Sequence, residues 1–447
     1  MEHLTIGTKI TEFTQERIID EIGKYVEGLK SGGLYDFEER LWKAIIEMYN
    51  LVAEEILVVS AEASVPVLES KAKEQRLGKL EKRPMSVQIK TGHYVTVTGL
   101  YAKKVPDKFQ GSRHLLASHW RILKGASPSY YSVVCLLGVL SPSFEVARQI
   151  IEIQGFACNL DRVQQLARHL AKDCRHRQAE LSRDVGESLK GLRVVIGIDG
   201  GRTRMREYRE EKNAAGNATF ETPWREPKMF VIDVLNDEGI VNRRYLPIYG
   251  CVFGDDEMIA LLASHLKGLE IEKARQVQIV ADGAPWIWNR VHDMLTGVGV
   301  AAEKIVETVD YYHASQYVYK IIAGLPKKFA RQSASLLKTF KEWLWEGRAN
   351  AIVEKCGELF KRPSKEMTKY IGYLDKNQKR MQYAENQTKK LMCGSGIIES
   401  GIRRIINLRF KNASAFWNQT NVEGLYFLRG ILLSFRWNVM IHNLVNL

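Results

Sequence analysis

No two cysteines in this chain are spaced C-x-x-C. The six present, at positions 135, 158, 174, 251, 356 and 393, are scattered over 447 residues. That spacing excludes a disulfide scaffold and a self-contained zinc ribbon, and reduced, packed thiols are the expectation. A run of about 18 apolar residues is also missing, so no membrane span is expected. The first residues, MEHLTIGTKITEFTQERIIDEIG, are acidic where a signal peptide needs an apolar stretch. A soluble, intracellular chain with no membrane partner is therefore expected. There is no G-x-x-x-x-G-K-[ST] loop and no G-x-S-x-G elbow, which removes the P-loop and nucleophile-elbow chemistries. Internal repeats and low-complexity tracts are absent too.

What is present is enough apolar residue, 45%, to build cores for two or three domains. The net charge of +13 is unevenly placed. Residues 314–447 hold 23 Lys and Arg against 9 Asp and Glu, a net of +14, and the rest of the chain is close to neutral. A polyanion is the simplest partner for such a surface, through phosphate neutralisation and counterion release. A solvated basic helical face is the plainer alternative.

The first 85 residues read as helical, with Leu41, Ile45, Met48, Val52 and Ile56 on one face at steps of three and four. The charged stretch 71–84 (KAKEQRLGKLEKRP) reads as a linker or a solvated helix end. Residues 87–101 (VQIKTGHYVTVTGLY) read as a hairpin around Thr91-Gly92. Two short helical patterns follow, 143–155 and 160–173, separated by a Gly-containing turn with Asn159 as N-cap. That is the outline of a helix-turn-helix, with Arg162, Gln165 and Arg168 as groove-facing candidates; two helices packed in any α domain look the same. From residue 191 the pattern becomes α/β. Strands are expected at 191–201 (GLRVVIGIDGG), 228–237, 243–253, 276–283 (QVQIVADG) and 304–313 (KIVETVDYYH). A helix is expected over 255–269 and a polar loop over 202–227. Residues 314–392 read as basic and helical, and two further helices follow around 396–412 and 420–436.

Asp199 and Asp282 each end a hydrophobic strand and precede Gly (IGIDGG, IVADGA). Strand ends are where α/β sheets present functional groups, and the Gly lets the chain turn away from an exposed carboxylate. Either alone is equally an Asp-Gly turn; two in one α/β pattern point to a paired site. Two Mg²⁺ ions, held by hard carboxylate oxygens, would need a third acid. Glu399 in CGSGIIESGIRRIINLRFK is the candidate, with Arg403, Arg404, Arg409 and Lys411 on the same segment facing a phosphate backbone. An ordinary Glu399–Arg403 surface pair is the alternative. Asp310 and His313 form a D-x-x-H at the end of the fifth strand, placing His313 near a scissile phosphate or leaving it as a packing residue.

With these residues in view, the chain resembles the DDE transposases of bacterial insertion sequences, closest to the ISKra and ISLre groups within the Mutator-like clan. The resemblance runs from about residue 190 to 437. It rests on IDGG at Asp199, WREPK (224–228), ADGAPWIWN around Asp282, DYYHA from Asp310, the Glu399 segment, FW (416–417) and LRGILLSFRW (428–437).

The resemblance implies an α/β ribonuclease H-like catalytic core with a mixed sheet, interrupted by an all-α insertion and preceded by a mainly helical N-terminal region. The division implied is 1–85 helical, 86–190 a hairpin with a helix-turn-helix-like region for DNA ends, and 191–313 the first part of the core. Residues 314–392 are then the basic helical insertion, and 393–447 the Glu399 helix and C-terminal helices. The 83 residues from Asp199 to Asp282 and the 117 from there to Glu399 leave room for that insertion. Asp199, Asp282 and Glu399 would hold two Mg²⁺ or Mn²⁺ ions, with His313 in the catalytic group. Water would free a 3′-hydroxyl at the element end, which would then attack target DNA. Trp286 and Trp417 are candidates for stacking on bases, with core packing the alternative. The partners implied are double-stranded DNA, as terminal inverted repeats and target, and further copies of the chain, at least a dimer on DNA. The location implied is the bacterial cytoplasm, on the nucleoid. The alternatives are a transposase-derived DNA-binding protein without turnover and a ribonuclease H-like nuclease. Relatives often carry N-terminal cysteine pairs, and here Cys135, Cys158 and Cys174 stand alone.

Overall fold

Aliphatic strands interleaved with amphipathic helices fold into a mixed α/β chain. The computed structural model describes residues 2–30, 33–77, 79–103, 113–183, 187–411 and 416–446. It divides into two units, Met1–His169 with Ile441–Leu447, and Leu170–Met440. Among the described residues no helix is long and apolar enough to cross a membrane.

In the first unit, helices Leu34–Ala63 and Val65–Glu74 lie against a three-stranded antiparallel sheet of Leu80–Gln88, Tyr94–Ala102 and Arg113–His114. Ala61, Leu68, Ala72, Val87, Val95, Val97 and Leu116 make their common core. The hairpin turns where expected. Gly92 has φ +85, and a Cβ there would strike the Ala157 carbonyl oxygen at 1.9 Å, so the turn requires glycine. Helicity does not run to residue 85. It stops at Glu74, and Leu80–Gln88 is a strand; Gly78 of the expected linker lies outside the described residues. Of the charges that suggested a linker, Lys71, Lys73 and Glu74 end the helix, and Glu81, Lys82 and Arg83 sit on an edge strand, where Glu81 pairs with Lys103 at 2.5 Å and with Arg83; charge is a usual guard of such an edge. Helices Phe144–Ile153 and Leu160–Arg183 are capped by Ser143 and by Asn159, whose Oδ1 accepts the Arg162 N–H at 2.8 Å. The second helix runs ten residues beyond the expected end.

The second unit is built on five strands, β1 (Arg193–Gly200), β2 (Lys228–Leu235), β3 (Ile248–Val252), β4 (Gln276–Ala281) and β5 (Ile305–Val309), in the order β3-β2-β1-β4-β5. The first three pair antiparallel, and β4 and β5 run parallel to β1. Alternation divides the sheet's faces. Val194, Ile196 and Ile198 join a large core with Leu262 and Leu266 of helix Asp255–Gly268. Val195 and Val280 face the other way, against Met392 and Ile397. Helices Tyr311–Ala323, Ser333–Trp345, Ala349–Leu359 and Lys365–Asn377 continue the larger core through Val318, Phe340, Ile352 and Leu374.

The expected polar loop 202–227 contains a hairpin, Glu207–Lys212 with Ala218–Glu221, and a short pairing of Thr203–Arg204 with Trp224–Arg225. The third strand starts at Ile248 rather than 243. The Glu399 segment is a helix, Gly396–Ile402, then a π-helical turn, Arg403–Asn407, then Leu408–Phe410; Asn412 lies outside the described residues. Helix Gln419–Leu433 is buried along most of its length, and Arg429 donates to the Arg404 and Ile405 carbonyls that the π turn leaves open.

Candidate functional site

The strand register sets the site. Ala281 of β4 stands opposite Ile198 of β1 and Val309 of β5, so Asp199, Asp282 and Asp310 are the next residues at three adjacent strand ends. The Asp310 N–H donates to the Ala281 carbonyl at 2.8 Å and continues the ladder by one residue. By alternation all three aspartates belong to the face of Val195, Gln278 and Thr308. Gln278 spans that face, donating to Thr308 Oγ1 at 2.9 Å and to the Met392 carbonyl at 2.7 Å.

On that same face lies the helix bearing Glu399. A Cβ on Gly197, two residues before Asp199, would come within 2.9 Å of Ile398 Cβ and 3.1 Å of Ile397 Cγ1. A Cβ on Gly401 would meet Met229 Cε of β2 at 2.6 Å. Glycine on both elements lets helix and sheet approach this closely. Glu399 itself is exposed, and its Oε1 lies 3.4 Å from the Ser395 hydroxyl.

Burial pushes the Asp199 carboxyl up to about 6; the Gly200 N–H opposes this, the Asp282 charge adds to it, and His313 counters it. Asp282 Oδ1 accepts the Ala284 N–H at 2.9 Å. The turn after it is roofed by Tyr373, whose ring a Cβ on Gly283 would strike at 2.1 Å, and Tyr317 stacks on Tyr373 with centroids 3.7 Å apart.

Of the D-x-x-H pair only Asp310 stands at the end of β5; His313 lies in the first turn of the helix that follows. Asp310 is the N-cap of helix Tyr311–Ala323, its Oδ1 accepting the His313 N–H at 2.6 Å. Its Oδ2 accepts the Ser395 N–H at 2.5 Å. Asp310 is fully buried, which alone would raise its carboxyl; the His313 ring and N–H, then the Ser395 hydroxyl and N–H, outweigh that and hold it down at about 2. The His313 Nδ1 stands 3.4 Å from Oδ1, an ion-pair distance without hydrogen-bond geometry. Asp310 raises the ring above its ordinary value against burial, and Asp282 and Asp199 add to this.

The candidate DNA-binding residues separate. Arg403 and Lys411 are exposed. Arg404 is half-buried and donates to the Tyr249 hydroxyl at 2.7 Å. Arg409 is only 2% exposed, its guanidinium 5.5 Å from the Trp417 ring centroid. It packs inside the fold, which corrects its expected place on a phosphate-facing surface. Trp417 meets Phe410 edge-on at 4.8 Å, and Trp286 carries the Lys228 ammonium 4.5 Å from its centroid; both are half-buried. In the first unit Arg168 is exposed, while Arg162 donates to Gln88 at 2.8 Å and Gln165 at 2.7 Å.

Sequence reasoning missed Ser395, Tyr317, Tyr373 and Glu226, whose carboxylate a Cβ on Gly200 would meet at 2.3 Å. The Gly after each aspartate signalled that something packs closely there, without saying what.

The residues present meet part of what a divalent metal needs. Asp199 and Asp282 are hard oxygen donors whose like charges oppose each other, a conflict a cation relieves. Among the described residues, however, no three His, Cys, Asp or Glu side chains lie close enough together to hold a metal ion.

The class defined by fold and site is a mixed α/β unit with a row of carboxylates at the C-terminal edge of its parallel strands. No family model matches the chain, and no curated protein does. Among solved structures the Drosophila P element transposase strand transfer complex is similar over 71% of this chain and 81% of that one. Identity is 12% and the TM-score 0.25, a likeness too slight to bear on fold or function.

Proposed function

We propose that this chain is a DDE transposase: a ribonuclease H-like core that cleaves DNA at element ends and joins them to target DNA. The observation that carries the reading is the register placing Asp199 and Asp282 side by side, on the sheet face that Gly197 opens to the Glu399 helix. The strand order and directions are compatible with the ribonuclease H-like expectation. On this reading the helices between the last strand and the Glu399 helix are the all-α insertion of 314–392.

Asp199 and Asp282, joined by Glu399, would hold Mg²⁺ or Mn²⁺, which when bound activates an attacking oxygen and stabilises a leaving one. The chain's own residues do the rest. Asp310 holds the His313 backbone N–H, and its charge, with those of Asp282 and Asp199, favours the protonated ring. Tyr317 and Tyr373 cover Asp282 and limit water there. Arg403 and Lys411 supply exposed charge for the DNA backbone, and the basic 314–392 segment extends it. Bringing two element ends together would require more than one copy of the chain.

The absence of a gathered three-ligand group among the described residues favours one second reading, a transposase-derived DNA-binding protein without turnover. Strand transfer from a donor carrying the mapped ends of the parent element, in Mg²⁺, decides between them. Joined products lost in Asp199→Asn and Asp282→Asn support the transposase. Binding without any cleavage supports the second reading, and cleaved but never joined ends indicate a nuclease.

A further inference from the structure

The hairpin between β1 and β2 carries a surface of alternating cations and rings. The Arg204 guanidinium lies 6.0 Å from the Trp224 centroid and 5.2 Å from that of Phe416. Arg206 lies 4.5 Å from Phe220 and 6.0 Å from Phe416. Tyr208 meets Phe220 edge-on at 6.1 Å. Trp224, Tyr208 and Phe220 are 52%, 61% and 40% exposed. Scattered apolar rings on a surface are ordinary; a contiguous set threaded by guanidinium groups is not. Two of the hairpin's acids are held by other arginines, Glu207 by Arg225 at 2.7 Å and Glu221 by Arg209 at 2.6 Å, and Glu210 and Glu211 stand exposed on the same strand as Tyr208. The Arg206 Nε is buried and has no hydrogen-bond partner among the described residues, a donor left without an acceptor.

We propose that this face is a stacking platform for unpaired nucleotides of a DNA strand. Every base has a π face, so rings beside arginines bind single strands with little regard to sequence. A duplex presents its phosphates and base-pair edges here and gains nothing from the rings. The platform begins just after Asp199 in the chain, with Gly200, Gly201 and Arg202 between that residue and the Thr203–Arg204 strand, so a strand held on it lies beside the end of the strand that carries Asp199. The inference rests on DNA as the substrate and adds that the DNA is locally unpaired beside the site.

The test is fluorescence anisotropy of a labelled oligothymidylate, and of a duplex of equal length, with the full chain. Trp224→Ala and Tyr208→Ala should each weaken single-strand binding about tenfold and leave duplex binding unchanged. Trp224→Phe should stay near wild type. Arg206→Lys, which keeps the charge and loses the plane, should weaken it. Unchanged thermal denaturation establishes that the variants are folded. Unaltered single-strand affinity, equal losses on both DNAs, or no single-strand binding by wild type overturns the proposal. So does loss of self-association in place of DNA binding, which would make the face a contact between copies. Cleavage is a separate readout: ring-dependent single-strand binding in a chain that never cuts removes the catalytic reading alone.

Discussion

Asp310 accepts the backbone N–H of Ser395 across 85 residues of sequence, at 2.5 Å. This bond, with the Tyr311 N–H donating to the Cys393 carbonyl at 2.9 Å, fastens the segment leading into the Glu399 helix to the strand edge that carries Asp199 and Asp282. The depressed Asp310 carboxyl contributes stability that is present above its unfolded value near 4 and lost as pH falls toward about 2. Asp310→Ala should therefore cost about 2–4 kcal/mol at neutral pH, with activity falling further than stability. Asp310→Asn, which keeps an acceptor, should cost less. Urea denaturation at pH 7 checks both.

Gly197 sets the approach of the Glu399 helix. Gly197→Val should destabilise the chain by about 1–3 kcal/mol by overpacking, and should reduce cleavage even where the protein remains folded. The control is Gly357→Ala on helix Ala349–Leu359, where a Cβ meets nothing within 4 Å; it should stabilise by about 0.5–1 kcal/mol. Equal effects from the two would contradict the close-packing account.

Arg409 and Arg403 should part company. Burial, then the neighbouring Arg429 charge, holds the Arg409 guanidinium down at about 10, so Arg409→Ala should lower the melting temperature. Exposed Arg403→Ala should leave melting unchanged, weaken DNA binding, and reduce the slope of log affinity against log salt by about one. Anisotropy titrations over a salt series, beside thermal melts, separate the two.

Asp233 is a pH-dependent weakness distant in sequence from the carboxylate row. Burial raises its carboxyl to about 6, with the Val234 N–H and Arg404 opposing. A carboxyl raised in the folded state stabilises the fold while protonated, so its contribution is present below the unfolded value near 4 and lost as pH rises through about 6. Asp233→Asn should flatten the fall in stability between about pH 4 and pH 6, by on the order of 1–3 kcal/mol. An unchanged pH profile would refute the assignment.

The five strands and the aspartates at their ends were legible because buried strands write themselves as aliphatic runs, and a Gly after each acid marks a tight exit. The 207–221 hairpin was not legible. Its strands are polar and exposed, and cross-strand ion pairs such as Arg209–Glu221 hold it together, a pattern that reads as loop. Arg409 was misplaced because charge along a basic segment was read as exposure for every member of it. The π turn at Arg403–Asn407 shifts the phase of Leu408–Phe410 and carries Arg409 inward. The D-x-x-H was legible as a motif but not as an N-cap, since its bond to Ser395 is made by residues far apart in sequence.

Calorimetric titration of the full chain with Mn²⁺, in wild type and in Asp199→Asn, Asp282→Asn and Glu399→Gln, tests the central claim most directly. Wild type should bind, each aspartate variant should lose about tenfold or more, and Glu399→Gln, at an exposed position, should lose less. Equal Mn²⁺ affinity in wild type and both aspartate variants would contradict it.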